Sequence, residues 1–379
     1  MKILHTSDWH LGRTFKGESL IEDHAYFLSQ LMDIILTQEP DVLIIAGDIF
    51  DRASPPASAI SQFDEFQRQV YHNTATALVI LAGNHDSGER IGINGPFADR
   101  NRVLIRGRLE KDDTPLILND EYGPIAFSAL PFGEIYAARE TFDNTRISSP
   151  ADVIAAQVEC ARKHIPTNAR WIISAHAFVT GASTTESERS LSVGGIETVS
   201  ASVFEGAHYV ALGHLHRAQK VGSDHIRYSG SPLAFAFDEA GSEKSVTMIT
   251  LGRDGVSNIE LLPLKALRQV RILKGNLRDL ENMTNDPNRS DLVHAVLTDT
   301  GALVDPMARL RKTFPNAITL EREARQTTQS DGKGRATAKL NDPQAVIREF
   351  LTYVRDDAIS DNEQAILDTA FKDISNEKA

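Results

Sequence analysis

Five short segments of the sequence combine aspartate, asparagine and histidine in patterns that could hold metal ions. The segments read SDWH, GDIFD, GNHD, AH and GHLH. They contain seven side chains with oxygen or imidazole donors: Asp8, His10, Asp48, Asn84, His176, His214 and His216. Donors of this kind, without a thiolate, suit Mn, Fe or Zn at a catalytic site better than they suit a structural zinc site.

The number of donors indicates two metal ions. Seven ligands exceed the need of one cation with an open position, whereas two cations roughly 3.5 to 4 Å apart take about this number when a carboxylate bridges them. Asp48 lies inside the series of five segments and not at either end, so we predict that Asp48 is the bridge. In an extended segment, residues i and i+2 point to the same side. Asp8 with His10, and His214 with His216, would therefore each present two ligands to one site.

Each of these residues also has an ordinary structural interpretation. A single histidine at a strand end is more often a surface or hydrogen-bonded residue than a ligand. Asp48 and Asn84 each follow a glycine and could be turn formers. Gly47, Gly83 and Gly213 would let the backbone turn sharply. Turn chemistry does not explain why five separated strands end in ligand types, so the five segments together favour a metal site.

The segments follow short apolar runs that predict β-strands. From residue 1 to about 264 such runs alternate with helical stretches, the pattern of a layered α/β domain. The strands that precede the segments are predicted at residues 2–6, 42–46, 78–82, 171–174 and 209–212, and amphipathic helices at 24–38 and 58–71. Ligands bind beyond the carboxyl ends of strands in open α/β sheets, so we expect the five segments at one edge.

Three further regions are predicted after a first domain at residues 1–266. Residues 267–325 form a small α+β domain, residues 326–341 a polar linker, and residues 342–379 two amphipathic helices. Residues 268–341, which comprise the small domain and the linker, contain 13 basic and 9 acidic side chains, so this region is the basic part of the chain. The terminal helices either fold back as a hairpin or dock onto a partner protein.

Composition and charge exclude several classes of protein. The chain of 379 residues has a formal net charge of −12, which argues against a protein that coats nucleic acid or an anionic membrane. Its single cysteine excludes an internal disulfide and a cysteine-based zinc finger. No apolar run is long enough for a membrane helix, and the apolar stretch at the N-terminus is too short for a signal peptide. We therefore expect a soluble, cytoplasmic protein without membrane association.

The segments DWHLG, GDIFD, GNHD, SAH and GHLH together resemble the calcineurin-like metallophosphoesterases. Within that family, HTSDWHLG, AGDIFDRASPP, LAGNHDS, ALGHLHRAQ and RYSGSPLAFAFDE are similar to segments of bacterial nuclease subunits that act with an SbcC-type ATPase. The resemblance covers about residues 1 to 240. It implies a layered β-sandwich flanked by helices, with a small α+β capping domain and C-terminal helices.

The resemblance also implies a division of the ligands. One metal ion would be held by Asp8, His10, Asp48 and His216, and the second by Asp48, Asn84, His176 and His214. His85 corresponds to the family's non-ligand histidine, which contacts the scissile phosphate and assists the leaving oxygen. Mn²⁺ is the expected metal, with Mg²⁺ second.

Two further residues are predicted to act near the substrate. Asp86 would orient the imidazole of His85. Arg52 would contact substrate phosphate, because GDIFDRA is similar to the GDxxDRG segment of Ser/Thr phosphatases in the same superfamily. A solvated loop arginine is the alternative for Arg52.

The implied function is metal-dependent hydrolysis of DNA phosphodiester bonds. The expected enzyme is an exonuclease on double-stranded ends and an endonuclease on hairpins or single strands, in DNA repair, recombination and replication. It would act in the bacterial cytoplasm at the nucleoid, as a homodimer within a heterotetramer that an SbcC-type ATPase joins through the C-terminal helices. Two alternatives stay open: a small-molecule phosphodiesterase or phosphatase of the same fold, and a non-catalytic DNA-end scaffold.

Overall fold

The structure, a computed structural model, describes residues 1–98, 101–188, 198–323, 347–348, 350–351 and 359–376. Two compact units are present, Met1–Arg322 and Glu323–Ala379. The strands are β1 (Lys2–Thr6), β2 (Thr14–Phe15), β3 (Glu18–Ser19), β4 (Val42–Ala46), β5 (Ala77–Leu81), β6 (Val103–Arg106), β7 (Leu116–Asp120), β8 (Gly123–Leu130), β9 (Arg170–His176), β10 (Tyr209–Gly213), β11 (Gln219–Val221), β12 (Ser223–Tyr228), β13 (Lys244–Gly252), β14 (Gly255–Leu264), β15 (Val270–Gly275), β16 (Leu292–Leu297) and β17 (Ala317–Arg322). The helices are α1 (Ile21–Gln38), α2 (Ala57–Asn73), α3 (Gly88–Gly92), α4 (Ile135–Thr141), α5 (Pro150–Arg162), α6 (Leu277–Glu281), α7 (Pro306–Leu310) and α8 (Asp361–Asn376).

Two six-stranded sheets make up most of the first unit. The first sheet has the order β14-β13-β1-β4-β5-β6, and the second has the order β11-β12-β10-β9-β8-β7. Strands β1, β4, β5 and β6 run parallel to one another, as do β8, β9, β10 and β12. Antiparallel strands lie at the outer edges of both sheets.

The two sheets pack face to face, and helices cover their outer faces. Strand β4 illustrates the layering, because all five of its residues are buried. Val42, Ile44 and Ala46 share a core with Phe127 and Ile172 of the second sheet. The alternate residues Leu43 and Ile45 pack in a second core with residues of α1 and α2, and α5 covers the second sheet in the same way. The predicted helix-flanked sandwich is confirmed, and residues apolar on both faces explain why the strand runs do not alternate with polar residues.

A small α+β module follows the sandwich in the chain. Strands β15, β16 and β17 form a parallel three-stranded sheet. Helices α6 and α7 cover it through a separate core built by Leu280, Val293, Leu310 and Phe314. The α+β character predicted for this region is therefore confirmed. The domain boundaries predicted at residues 266 and 325 stay predictions.

The second unit contributes one fully described helix, α8. The predicted linker at residues 326–341 lies outside the described residues, as does most of the predicted helix that begins at Asp342. Ile366, an apolar residue of α8, is 69% exposed. Among the residues that the structure describes, no helix has the length and apolar character that a membrane crossing requires.

Candidate metal centre

The backbone turns sharply where the parallel strands end. Asp8, His10 and Asp48 have φ angles of 55°, 47° and 49°, and that of His214 is 108°. Such angles cost a non-glycine residue about 1–3 kcal/mol each and persist only where the surroundings hold them. Here the N–H groups of Asp8 and His10 donate to the carbonyl oxygens of Gly47 and Asp48, at 3.0 and 2.9 Å. The i and i+2 pairs are thus presented by left-handed turns, and the expectation that they lie in extended segments is wrong.

Glycines let the two sheets approach each other at this edge. Gly47 has a φ of 89°, as its predicted role in a turn requires. A Cβ atom at Gly213 would collide with the carbonyl oxygen of Ala46 in the other sheet. Neither Gly213 nor Gly83 has a left-handed φ, so their role is close approach and not the predicted sharp turn.

Three of the predicted ligands form a first group. Asp8, His10 and His216 are buried, and each offers one ligand atom within 4.8 Å of the others. The Nε2 atoms of His10 and His216 are 3.1 Å apart. Asp8 is held by the N–H of His214, which donates to its carboxylate at 2.9 Å. The strand ends of β1 and β10 therefore combine in this group.

A second group lies beside the first. Asp48, His176 and His214 each offer a ligand atom within 4.8 Å of the others. Asn84 completes the group, because its Oδ1 lies 2.9 Å from His176 Nε2 and 3.1 Å from His214 Nδ1. The structure thus brings all seven predicted ligands to one edge of the sandwich, and their role in binding metal stays a prediction.

Asp48 lies between the two groups. Its Oδ2 is 3.7 Å from His10 Nε2 in the first group and 3.4 Å from His176 Nε2 in the second. Its Oδ1 accepts the N–H of His85 at 2.8 Å. One carboxylate therefore reaches toward both groups, which is the placement that a bridging ligand needs.

The donor atoms fit divalent cations. His176 Nδ1 lies 2.9 Å from the carbonyl oxygen of Ala46, which can only accept a hydrogen bond. Nδ1 therefore carries the proton in the neutral ring, and the Nε2 lone pair faces the Oδ1 of Asn84 and the Oδ2 of Asp48. Three lone pairs that converge in this way repel each other unless a proton or a cation lies between them. A set of neutral imidazoles and carboxylates is the donor set of Mn²⁺, Fe²⁺ and Zn²⁺.

Burial sets the charges of the metal-free site. Burial lowers the pKa of His214 to about 3 and holds the pKa values of His10 and His216 well below the usual range. Burial raises the pKa of Asp8 to about 8. Burial also opposes the charge on His176, but the attraction of Asp48 and Asp8 raises its pKa to about 9. At neutral pH, Asp8 and His176 each hold a proton that a bound cation would displace.

His85 faces the same edge without belonging to the two groups. Its Nδ1 lies 2.8 Å from the carbonyl oxygen of Asp51 and donates to it, so in the neutral ring the lone pair is on Nε2. The ring packs edge-on against His10, with centroids 4.8 Å apart. His85 is half-buried, so its side chain is partly accessible to solvent.

The structure gives Asp86 a different role from the predicted one. Its carboxylate accepts the backbone N–H groups of Ile49, Phe50 and Gly83, at 3.1, 2.8 and 2.9 Å. It therefore ties the GDIFD and GNHD segments together, while the carbonyl of Asp51 orients His85. Arg52 is exposed beside Asp51.

Two residues near the site, Arg13 and Asp51, were given no role in the sequence analysis. Arg13 Nη1 lies 3.4 Å from Asp51 Oδ1, and its guanidinium stacks over the ring of Phe235 at 4.7 Å. Asp51 Oδ1 in turn is 3.7 Å from His10 Nδ1. Asp51 is the last residue of the segment GDIFD and Arg13 directly follows DWHLG, and these positions are the sequence signals that could have indicated them.

Comparisons with known proteins agree with this geometry. Residues 1–218, more than half of the chain, match the family model described as calcineurin-like phosphoesterase. A solved structure described as "GAP50 the anchor in the inner membrane complex of Plasmodium" is 8% identical, with 70% of this chain and 89% of that chain covered and a TM-score of 0.36. That likeness is too remote to bear on fold or function.

A second family model matches the C-terminal part. Residues 266–355 match the model for the SbcD C-terminal domain, described as type 5 capsule protein repressor C-terminal domain. The first match covers the sandwich strands β1 to β10, and the second covers the small module, in the order in which the chain has them. The chain therefore belongs to the calcineurin-like phosphoesterase family, among the members that carry an SbcD-type C-terminal domain.

Proposed function

We propose that the protein is a two-metal DNA nuclease that hydrolyses phosphodiester bonds at DNA ends and hairpins. The position of Asp48 between two groups of buried ligands carries this proposal. The pairing of a phosphoesterase domain with an SbcD-type C-terminal domain supports DNA as the substrate. The net-basic residues 268–341 follow an acidic domain in the sequence and supply positive charge, which phosphate binding requires.

Separate residues would bind the cations and contact the substrate. Asp8, His10, Asp48 and His216 would hold one cation, and Asp48, Asn84, His176 and His214 the other. When bound, two such cations polarise the phosphate and activate water for in-line attack. His85 Nε2 is the free imidazole nitrogen, so His85 would contact the scissile phosphate and, once protonated, give a proton to the departing oxygen. The role of Arg52 in phosphate binding is part of the same proposal.

The cofactor and the partners follow from the same proposal. Mn²⁺ is the proposed metal, with Mg²⁺ second. Residues 342–379 would join an SbcC-type ATPase, and the exposed Ile366 on α8 supports an apolar contact there. The complex would be a heterotetramer around a homodimer, at work in DNA repair, recombination and replication in the bacterial cytoplasm.

A cleavage assay tests the proposed function. The full chain is incubated with Mn²⁺ and either blunt-ended DNA, hairpin DNA or a chromogenic phosphodiester, with and without an SbcC-type ATPase. We expect cleavage of DNA, and faster cleavage with the ATPase. Turnover of the chromogenic ester without DNA cleavage would indicate a small-molecule phosphodiesterase. Metal binding without any cleavage would indicate a non-catalytic scaffold.

Replacing Asp48 should remove both cations. Asp48→Asn keeps the size of the side chain and an acceptor for the His85 N–H, but it removes the charge that both groups share. We expect fewer than about one Mn²⁺ per chain by elemental analysis after dialysis, against about two in the unchanged protein. The control is Asp64→Asn, at an exposed residue of α2. Retention of one tightly held cation in Asp48→Asn would show that Asp48 is not a ligand shared by both cations.

Replacing His85 should separate binding from catalysis. His85 belongs to neither group, so His85→Ala should keep both cations while DNA cleavage falls roughly 100- to 10,000-fold. Elemental analysis and the cleavage assay measure the two effects. His72→Ala, at an exposed histidine of α2, should change neither. Equal loss of metal and activity in His85→Ala would refute the assignment.

Metal affinity should depend on pH. The pKa of Asp8 is about 8 and that of His176 about 9 in the metal-free protein, so both hold protons at pH 7 and must lose them to bind a cation. The affinity for Mn²⁺ should therefore rise from pH 6 to pH 8, by about tenfold per pH unit for each displaced proton. Calorimetry in buffers of different ionisation enthalpy counts the released protons. An affinity that stays constant over this range would contradict the expectation.

A further inference from the structure

A short chain of hydrogen bonds leads away from the metal ligand His216. Its Nδ1 lies 2.6 Å from the hydroxyl oxygen of Ser187. That hydroxyl donates to Oε1 of Glu239 at 2.8 Å. The two partners come from distant parts of the chain, so only the fold brings them behind the imidazole.

Glu239 is the fixed acceptor at the end of this series of hydrogen bonds. It is 2% exposed, and its Oε2 forms an ion pair with Lys244 Nζ at 2.5 Å. Its Oε1 also accepts the backbone N–H groups of Phe235 and Ala236, at 3.0 and 3.1 Å. A carboxylate held by one cation and two amides has no proton to give, so the proton between Glu239 and Ser187 belongs to the serine.

The direction of the hydrogen bond between Ser187 and Glu239 decides the tautomer of His216. A hydroxyl group has one proton, and Ser187 uses it toward Glu239. Ser187 Oγ must therefore accept from His216 Nδ1, and it accepts from Thr185 Oγ1, 2.9 Å away, as well. With the proton on Nδ1, the lone pair of His216 is on Nε2, the atom that lies 3.1 Å from His10 Nε2 in the first group.

The second group uses a different support. His176 is held by the backbone carbonyl of Ala46, which no substitution of a side chain removes. The imidazole of His216 in the first group depends on two side chains instead. The supports of these two histidines can therefore be changed independently.

We propose that Ser187 and Glu239 are positioning residues for the cation of the first group. They hold His216 in the Nδ1–H form and direct its Nε2 lone pair at the cation held with Asp8 and His10. Partners of this kind orient metal-binding imidazoles and raise their basicity. The inference rests on the metal-binding part of the proposed function and not on DNA as the substrate.

Calorimetric titration of the full chain with Mn²⁺ tests this role. Ser187→Ala should weaken one of the two binding events about 10- to 100-fold and leave the other unchanged. Ser187→Thr keeps a hydroxyl and should restore the affinity. Ser183→Ala is the matched control, because that serine lies in the same loop and its hydroxyl bonds Gln219 instead. General damage to the fold would weaken both events.

A spectroscopic measurement tests the tautomer without metal. In ¹⁵N-histidine-labelled protein, His216, assigned by loss of its signal in His216→Gln, should show a protonated Nδ1 and an unprotonated Nε2. Ser187→Ala should shift these resonances toward a mixture of tautomers. Unchanged resonances in Ser187→Ala, unchanged or equally weakened Mn²⁺ binding, or no recovery in Ser187→Thr would each overturn the inference. Wild-type protein that binds two cations but cuts no DNA would refute only the nuclease proposal.

Discussion

The burial of two carboxylates among imidazoles at one sheet edge is the constraint on which the rest of the structure depends. Asp8 and Asp48 are both nearly inaccessible to solvent. Charged groups in such a place need a compensating positive charge, which protons supply in the metal-free protein and divalent cations would supply in the loaded one. The left-handed turns and the close approach of the sheets at Gly213 are tolerated because they bring these groups together.

Three histidines of the site are oriented by two different kinds of support. A backbone carbonyl orients His176, a backbone carbonyl on another loop orients His85, and two side chains orient His216. Backbone support comes with the strands themselves and is as rigid as the sandwich. Side-chain support can be removed by a single substitution at Ser187, so the orientation of His216 can be changed by mutation.

The strands and the ligand residues could be predicted from the sequence because their signals are local. An apolar run, a glycine and a polar donor lie within a few residues of each other in each segment. The left-handed angle of His10 could not be predicted, because no glycine or asparagine marks it. The role of Asp86 was missed because Ile49 and Phe50 are on another loop, and Glu239 because no spacing connects it with His216. Contacts between distant segments depend on the packing of the two sheets, which the pattern of one segment does not describe.

The pairing of β1 has a consequence for how the protein is made. β1 lies between β4 and β13, and Lys2 pairs with Thr250. During synthesis Asp8 and His10 leave the ribosome long before His214 and His216. They also leave it long before β13, the strand that pairs with β1. A nascent chain therefore cannot assemble the first group, and metal ions in the cell cannot guide its early folding. Loading with metal has to wait until the sandwich has closed, and until then β1 has an unpaired edge that other chains or chaperones can bind.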